Sequence, residues 1–283
     1  MTRRSLILAG GGLKIAYQAG VLQVWLDEAH VEFDHADAVS AASFNLAMWC
    51  QGMSGQRIAD NWRSFRPLRA IAPNILGILR LPVAESFLTY RRIRRNIFPA
   101  FGLDWDVIRS SPRRASFNLY DFSAQRVVVF EPAQMTEDLL VAAGSLPIFF
   151  PPVTIDGTVY VDAVHAGAAN LEHAIEQGAD ELWIIWTAST AGRWRNGPVG
   201  EFFAIFEMAT NSRLRATLDR IEQSNVRLAQ GEAGSYDRHI TVRLLQQEVP
   251  LHYLLNVRSR RFAEAVELGV RDARAWCRTE GLL

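Results

Sequence analysis

Arg4-Ser5-Leu6-Ile7-Leu8-Ala9-Gly10-Gly11-Gly12-Leu13-Lys14 decides the fold of this chain. The run Ser5 to Ala9 is apolar and too short for a helix, the three glycines break it, and from Ala16 onward Val21, Leu22, Trp25 and Leu26 recur at helical spacing. The stretch therefore predicts strand, tight glycine turn, helix. Glycines placed before a helix let backbone N–H groups converge on an anion beside the positive helix end. Three uses follow from the residues: a merely structural turn, a nucleotide phosphate site, or an oxyanion hole for acyl transfer. The order Gly-Gly-Gly-Leu-Lys matches neither of the common phosphate-loop patterns.

The same order repeats downstream. Ala36 to Val39 reads as a second strand and Ala41 to Gly52 as a buried helix rich in Ala, Leu and Met. Ser40 sits between them, flanked two residues away by Ala38 and Ala42. A nucleophile elbow needs small residues at those positions, because its sharp turn brings backbones close. A helix N-cap is the competing reading of a serine placed there.

Further along, Ala115 to Phe122 and Arg126 to Phe130 predict a hairpin turning at Ser123-Ala124, and Met135 to Ala143 a helix. Val153 to Ile155 and Val159 to Val161 flank Asp156-Gly157, a favoured two-residue hairpin turn. A helix at Leu171 to Gln177, a strand at Leu182 to Trp186, a long helix from about Glu201 to Gln230, a strand at Ile240 to Leu244 and a helix from about Ser259 to Arg278 follow. Alternating strands and helices imply a three-layer α/β/α sandwich with a mainly parallel sheet, here a single domain over 1–283.

Composition narrows the function. The chain has 283 residues, 30 Lys and Arg against 30 Asp and Glu, and 49% hydrophobic residues. A balanced charge argues against nucleic acid as a partner, since phosphate contacts need a surplus of cations. The two cysteines, Cys50 and Cys277, have no metal-ligand or disulfide spacing and are expected to be buried thiols. The basic, apolar start is cut by glycines and Lys14 before it reaches the roughly 7–15 apolar residues of a secretion signal. No stretch approaches the ~18 apolar residues of a spanning helix, so a cytoplasmic protein is expected. Nothing specifies an oligomeric state.

Together, Gly10 to Lys14, Ala16-Tyr17-Gln18-Ala19-Gly20-Val21-Leu22 and the Ser40 turn resemble the opening of patatin-like phospholipases. Ala142-Ala143-Gly144-Ser145-Leu146-Pro147-Ile148-Phe149-Phe150-Pro151-Pro152 and Tyr160-Val161-Asp162 resemble that family's approach to its aspartate. Ala174 to Asp180 resembles the helix beyond it. The resemblance implies Ser40 as nucleophile, Asp162 as its base without histidine, and Gly10, Gly11 and Gly12 as oxyanion donors. It also implies a lipid acyl hydrolase of phospholipase A or lysophospholipase type acting on phospholipid or other acyl esters, possessing neither metal nor organic cofactor.

The sequence departs from the family pattern at four places. Alanine replaces glycine at 38 and 42, Asp162 is followed by Ala163-Val164, Ala168-Ala169-Asn170 lacks the family's proline, and Lys14 stands for arginine. The alternative these changes raise is a catalytically degenerate member serving as a lipid-binding or protein-interaction module. His165, three residues after Asp162, raises a Ser/His/Asp triad as a further alternative. The segment 70–102 mixes oily residues with Arg91, Arg92, Arg94 and Arg95. It reads either as a lid or membrane-facing insertion making peripheral lipid contact, or as packed helices with solvated arginines.

Overall fold

A computed structural model describes residues 2–75, 79 and 86–283. Within them the strands β1 (Arg4–Leu8), β2 (His35–Val39), β3 (Ala115–Asp121), β4 (Arg126–Phe130), β5 (Val153–Ile155), β6 (Thr158–Asp162), β7 (Glu181–Trp186) and β8 (Thr241–Gln246) join one sheet in the order β5-β6-β3-β2-β1-β7-β8, with β4 also paired to β3. Strands β3, β2, β1, β7 and β8 run parallel, and β4, β5 and β6 form an antiparallel wing. The central strands β2 and β7 are buried throughout, as expected for a parallel sheet covered on both faces. The wing strands β4 and β6 are half-exposed.

On one face lie α1 (Ile15–Leu22), α2 (Ala42–Cys50) and α3 (Gly55–Arg63); on the other lie α5 (Leu171–Glu176) and α6 (Pro198–Ala229), while α4 (Glu137–Ala143) packs by the wing and α7 (Arg260–Thr279) closes the first face against α1. The first face is centred on aromatics: Trp25 meets Trp183 edge-on at 5.1 Å, and Phe65 meets Phe262 at 4.8 Å. Such pairs add about 0.5–1.5 kcal/mol beyond their burial. The second face buries Trp186, Phe203 and Phe206 under α6. Both cysteines are buried free thiols.

Most elements fall within a few residues of their expected places. The Asp156-Gly157 turn has φ of 50° and 80°, the two left-handed residues a tight hairpin requires, and its strands pair at Ile155 and Thr158. The other hairpin turns through four residues rather than two. Its last rung is Asp121 with Arg126, and the Asp121 carboxylate accepts the Ala124 amide at 2.8 Å. Helix α3 carries no expectation from the sequence, yet Ser54 caps it through the Arg57 amide and Ile58, Ala59 and Trp62 bury its inner face.

The segment 70–102 divides. Residues 76–78 and 80–85 of that proposed insertion lie outside the described residues. Tyr90, Ile97, Phe98 and Phe101 are core residues, and Arg94 pairs with Glu137 and Asp138. Ile75, Leu79 and Phe87 are exposed. Among the described residues no helix is long and apolar enough to cross a membrane.

The register of β3 positions the site. Strand β4 takes one edge of β3; β2 and then β6 share the other, with Asn118 opposite Val39 and Leu119 opposite Asp162. Because β2 runs parallel to β3 and β6 antiparallel, their carboxyl ends point at each other across adjacent rungs.

Candidate active site

Ser40 follows β2 with φ of 63°, a left-handed conformation that costs a non-glycine residue about 1–2 kcal/mol. That conformation excludes an ordinary N-cap, which is extended. The N-cap place of α2 falls to Ala41, and the Ser40 hydroxyl caps nothing. It donates instead to Asp162 Oδ2 at 2.5 Å. Ala38 and Ala42 are fully buried in the core of the first face, and the left-handed serine is reached without glycine at either place. The close approach is made by Gly10 instead: a Cβ there would lie 3.0 Å from Ser40 Cβ and 3.3 Å from the Val39 carbonyl.

Asp162 ends β6 and is buried. Its Oδ1 accepts the Val164 amide at 2.9 Å while Oδ2 takes the Ser40 hydroxyl. Burial pushes its pKa up to about 7 against the pull of those two hydrogen bonds. Ala163 has no left-handed φ, so the short turn Ala163–His165 needs no glycine there. Asn170 replaces the missing proline with hydrogen bonds. Its Oδ1 caps α5 and its Nδ2 donates to Asn118 Oδ1 at 2.7 Å, while Asn118 Nδ2 donates to Asp37 Oδ2 at 2.9 Å and to the Ala38 carbonyl at 3.0 Å. The loop after Asp162 is thereby tied to β2 beneath the serine turn. Asp37 is wholly buried, and burial raises its pKa to about 7.

The glycine loop corrects one expectation. The Gly10 N–H donates to the Ala168 carbonyl at 2.7 Å and is not free to meet an anion. The Gly11, Gly12 and Ala41 N–H groups have no hydrogen-bond partner among the described residues. Gly12 has φ of 54°, and a Cβ on it would lie 2.3 Å from the Tyr253 carbonyl; one on Gly11 would lie 2.1 Å from Thr187 Oγ1. That Tyr253 carbonyl accepts the Leu13 amide at 2.7 Å, and the Tyr253 hydroxyl accepts the Ser189 amide and donates to Glu207. Tyr253 therefore fastens the loop from below. Lys14 lies buried over the Tyr253 ring, 4.4 Å from its centre and 3.6 Å from Glu248 Oε1. Burial lowers its pKa, and Glu248 opposes the shift.

Gly11, Gly12, Ser40, Ala41 and Asp162 all line one cavity, whose remaining walls are largely apolar. It adjoins a second apolar cavity through shared walls at Gly12, Leu13, Phe44 and Phe150. His165 makes no hydrogen bond to Ser40 or Asp162; it lines a third, open cleft and sets its ring edge-on to Phe202 at 5.3 Å. The serine meets its carboxylate directly, leaving no place for an imidazole between them. No group of three or more His, Cys, Asp or Glu side chains among the described residues could hold a metal ion.

Ser40, Asp162, Gly11 and Gly12 thus lie around one cavity, and Gly10 stands behind the serine turn. Sequence reasoning missed Asp37, Asn118 and Tyr253. An Asp at 37, three residues before Ser40 in a strand whose other residues are His35, two alanines and Val39, is the one local signal that could have pointed to the first two.

VipD from Legionella pneumophila is a solved structure similar to this chain at 11% identity and a TM-score of 0.45, with 99% of this chain and 67% of that one covered. None of the curated proteins matches. The family model for patatin-like phospholipases matches residues 6–175, more than half of the chain and a span that holds both turns and Asp162. The chain belongs to the patatin-like phospholipase family.

Proposed function

We propose that this protein is a lipid acyl hydrolase, a serine carboxylic-ester hydrolase of phospholipase or lysophospholipase type, working through Ser40 and Asp162. A serine hydroxyl is a weak nucleophile until a bonded base takes its proton. Asp162 takes it as Ser40 Oγ attacks the ester carbonyl, and the resulting oxyanion is held by the Gly11 and Gly12 N–H groups, with Ala41 a third donor at the start of α2. Asp162 then returns the proton to the departing alkoxide. Water attacks the acyl-serine, gives its proton to Asp162, and releases the fatty acid as Oγ recovers the proton. A base with pKa near neutrality suits both directions of transfer.

The observation that carries the reading is the 2.5 Å hydrogen bond from a left-handed Ser40 to a buried Asp162. The two adjoining apolar cavities supply a place for an acyl chain beside the glycine loop. Peripheral contact with lipid through the exposed Ile75, Leu79 and Phe87 belongs to the same proposal. A fluorophosphonate probe tests it: the wild-type chain should be labelled and should hydrolyse a short-chain p-nitrophenyl ester, and Ser40→Ala should lose both. Absence of labelling at high protein concentration would leave only the non-catalytic module.

A further inference from the structure

Asp162 stands in the walls of two spaces. One is the cavity of Ser40 and the glycine amides; the other is an open cleft, and Phe150 also borders both. The acyl-hydrolase chemistry proposed above divides a substrate between them. The oxyanion must face Gly11 and Gly12, and the departing alkoxide must face its proton donor, Asp162. The acyl chain can run from the glycine side into the apolar cavities. The alcohol half then extends the other way, past Asp162 into the cleft.

The cleft differs chemically from the acyl side. Its walls carry Tyr120, Gln125, His165 and Arg213 besides apolar residues, and no carboxylate but Asp162. Arg213 is exposed on α6, beyond the matched residues 6–175, and among the described residues it makes no hydrogen bond or ion pair. Ile148, also on the wall, holds φ of 76° with its side chain exposed. A β-branched residue is strained in that conformation, and such strain gathers at binding and active sites.

We infer that this cleft receives the alcohol half of the substrate and that Arg213 reads a phosphate ester carried on it, which makes Arg213 a specificity-determining residue. This rests on the acyl-hydrolase reading. A guanidinium matches phosphate with two parallel hydrogen bonds, and lysine retains only the charge. Burial keeps the His165 pKa below its ordinary value, so near neutral pH His165 adds a hydrogen-bond donor without charge.

The test compares kcat/KM for 1-octanoyl glycerol 3-phosphate and 1-octanoyl glycerol, both kept monomeric so that no lipid surface contributes. The wild-type chain should prefer the phosphate, Arg213→Ala should lower the ratio of the two values by at least about tenfold, and Arg213→Lys should recover part of it. An unchanged ratio, or equal loss on both substrates, overturns the assignment. So does inhibition by inorganic phosphate as strong as that by glycerol 3-phosphate, which would mark a free-anion site. If the wild-type chain hydrolyses neither ester, the acyl-hydrolase reading fails separately. Calorimetry of 1-octanoyl glycerol 3-phosphate with Ser40→Ala and with Ser40→Ala/Arg213→Ala then judges the cleft: weaker binding in the second supports it, equal binding overturns it.

Discussion

Asp162→Asn should produce a protein that is inactive yet more stable than the wild type above neutral pH. The Asp162 carboxyl has its pKa raised from the usual 3.8 to about 7 by burial. A raised pKa means that the folded state binds the proton more tightly than the unfolded one. The contribution to stability is therefore complete below about pH 4, is lost as pH rises through about 7, and changes no further above that. Each pH unit between the two values is worth ~1.4 kcal/mol, which sets a ceiling of about 4 kcal/mol on the loss. Asparagine carries no such penalty, and the surrounding hydrogen bonds allow the exchange. Its Oδ1 can accept the Val164 amide, and its Nδ2 can donate to Ser40 Oγ, which then accepts rather than donates.

The assay is thermal unfolding of both proteins between about pH 4 and pH 8.5, read as the difference in Tm. Over 283 residues the ceiling corresponds to roughly 7 °C in favour of the variant. The difference matters because other groups titrate in the same window. Burial lowers the His35 pKa to about 4, so its contribution is present above about pH 6.5 and is lost as pH falls toward 4, opposite in sign to Asp162. Asp37 follows the sign of Asp162. Both are common to the two proteins and cancel. Parallel curves, or a variant that is less stable throughout, would refute the reasoning, since a carboxylate kept for its structural hydrogen bonds alone loses stability on conversion to the amide at every pH.

Other perturbations separate the parts of the site. The kcat/KM of ester hydrolysis should rise with pH through about 7 and then level off, as Asp162 ionises to become the base, and His165→Ala should leave that midpoint in place; a rate collapse in the histidine variant would restore the triad. Gly12→Ala should lose about 2 kcal/mol or more in urea unfolding, because the added Cβ meets the Tyr253 backbone and the left-handed φ. Gly10→Ala should reduce turnover, because the added Cβ would press on Val164 Cγ2 at 2.8 Å, on Ser40 Cβ at 3.0 Å and on the Val39 carbonyl at 3.3 Å, displacing the serine turn. Tyr253→Phe strands the Ser189 amide and should cost about 1–3 kcal/mol by the same measurement. Replacing Ile75, Leu79 and Phe87 together by Ser should weaken sedimentation with anionic liposomes, and unchanged sedimentation would remove membrane contact through that segment.

What the sequence disclosed was what short-range chemistry dictates. The apolar run of β1 ending in three glycines, the small residues around Ser40 and the Asp156-Gly157 turn each depend on neighbours within a few positions, and each formed near its expected place. The N-cap and elbow readings of Ser40 could not be told apart there, because they differ in the sign of one dihedral angle, and alanine at 38 and 42 fits either. The destination of a backbone amide was equally hidden. Gly10 stands in line with Gly11 and Gly12, and only the fold shows that the Ala168 carbonyl takes its N–H.

The meeting of Ser40 with Asp162, 122 positions apart, depends on the register of a third strand. Had β6 run parallel to its neighbours, its carboxyl end would point away from β2, and no choice of residue at 162 would bring a carboxylate to the serine. The antiparallel wing is thus a geometric requirement of the dyad. β3 sets the spacing, since Val39 and Asp162 occupy successive rungs at Asn118 and Leu119, and the Asn118 side chain ties Asp37 and Asn170 into the same junction. A shift of one residue between β3 and β6 would turn Asp162 to the opposite face of the sheet. Asn118, buried beneath both chain ends and named by no motif, is therefore the residue on which the alignment depends most directly.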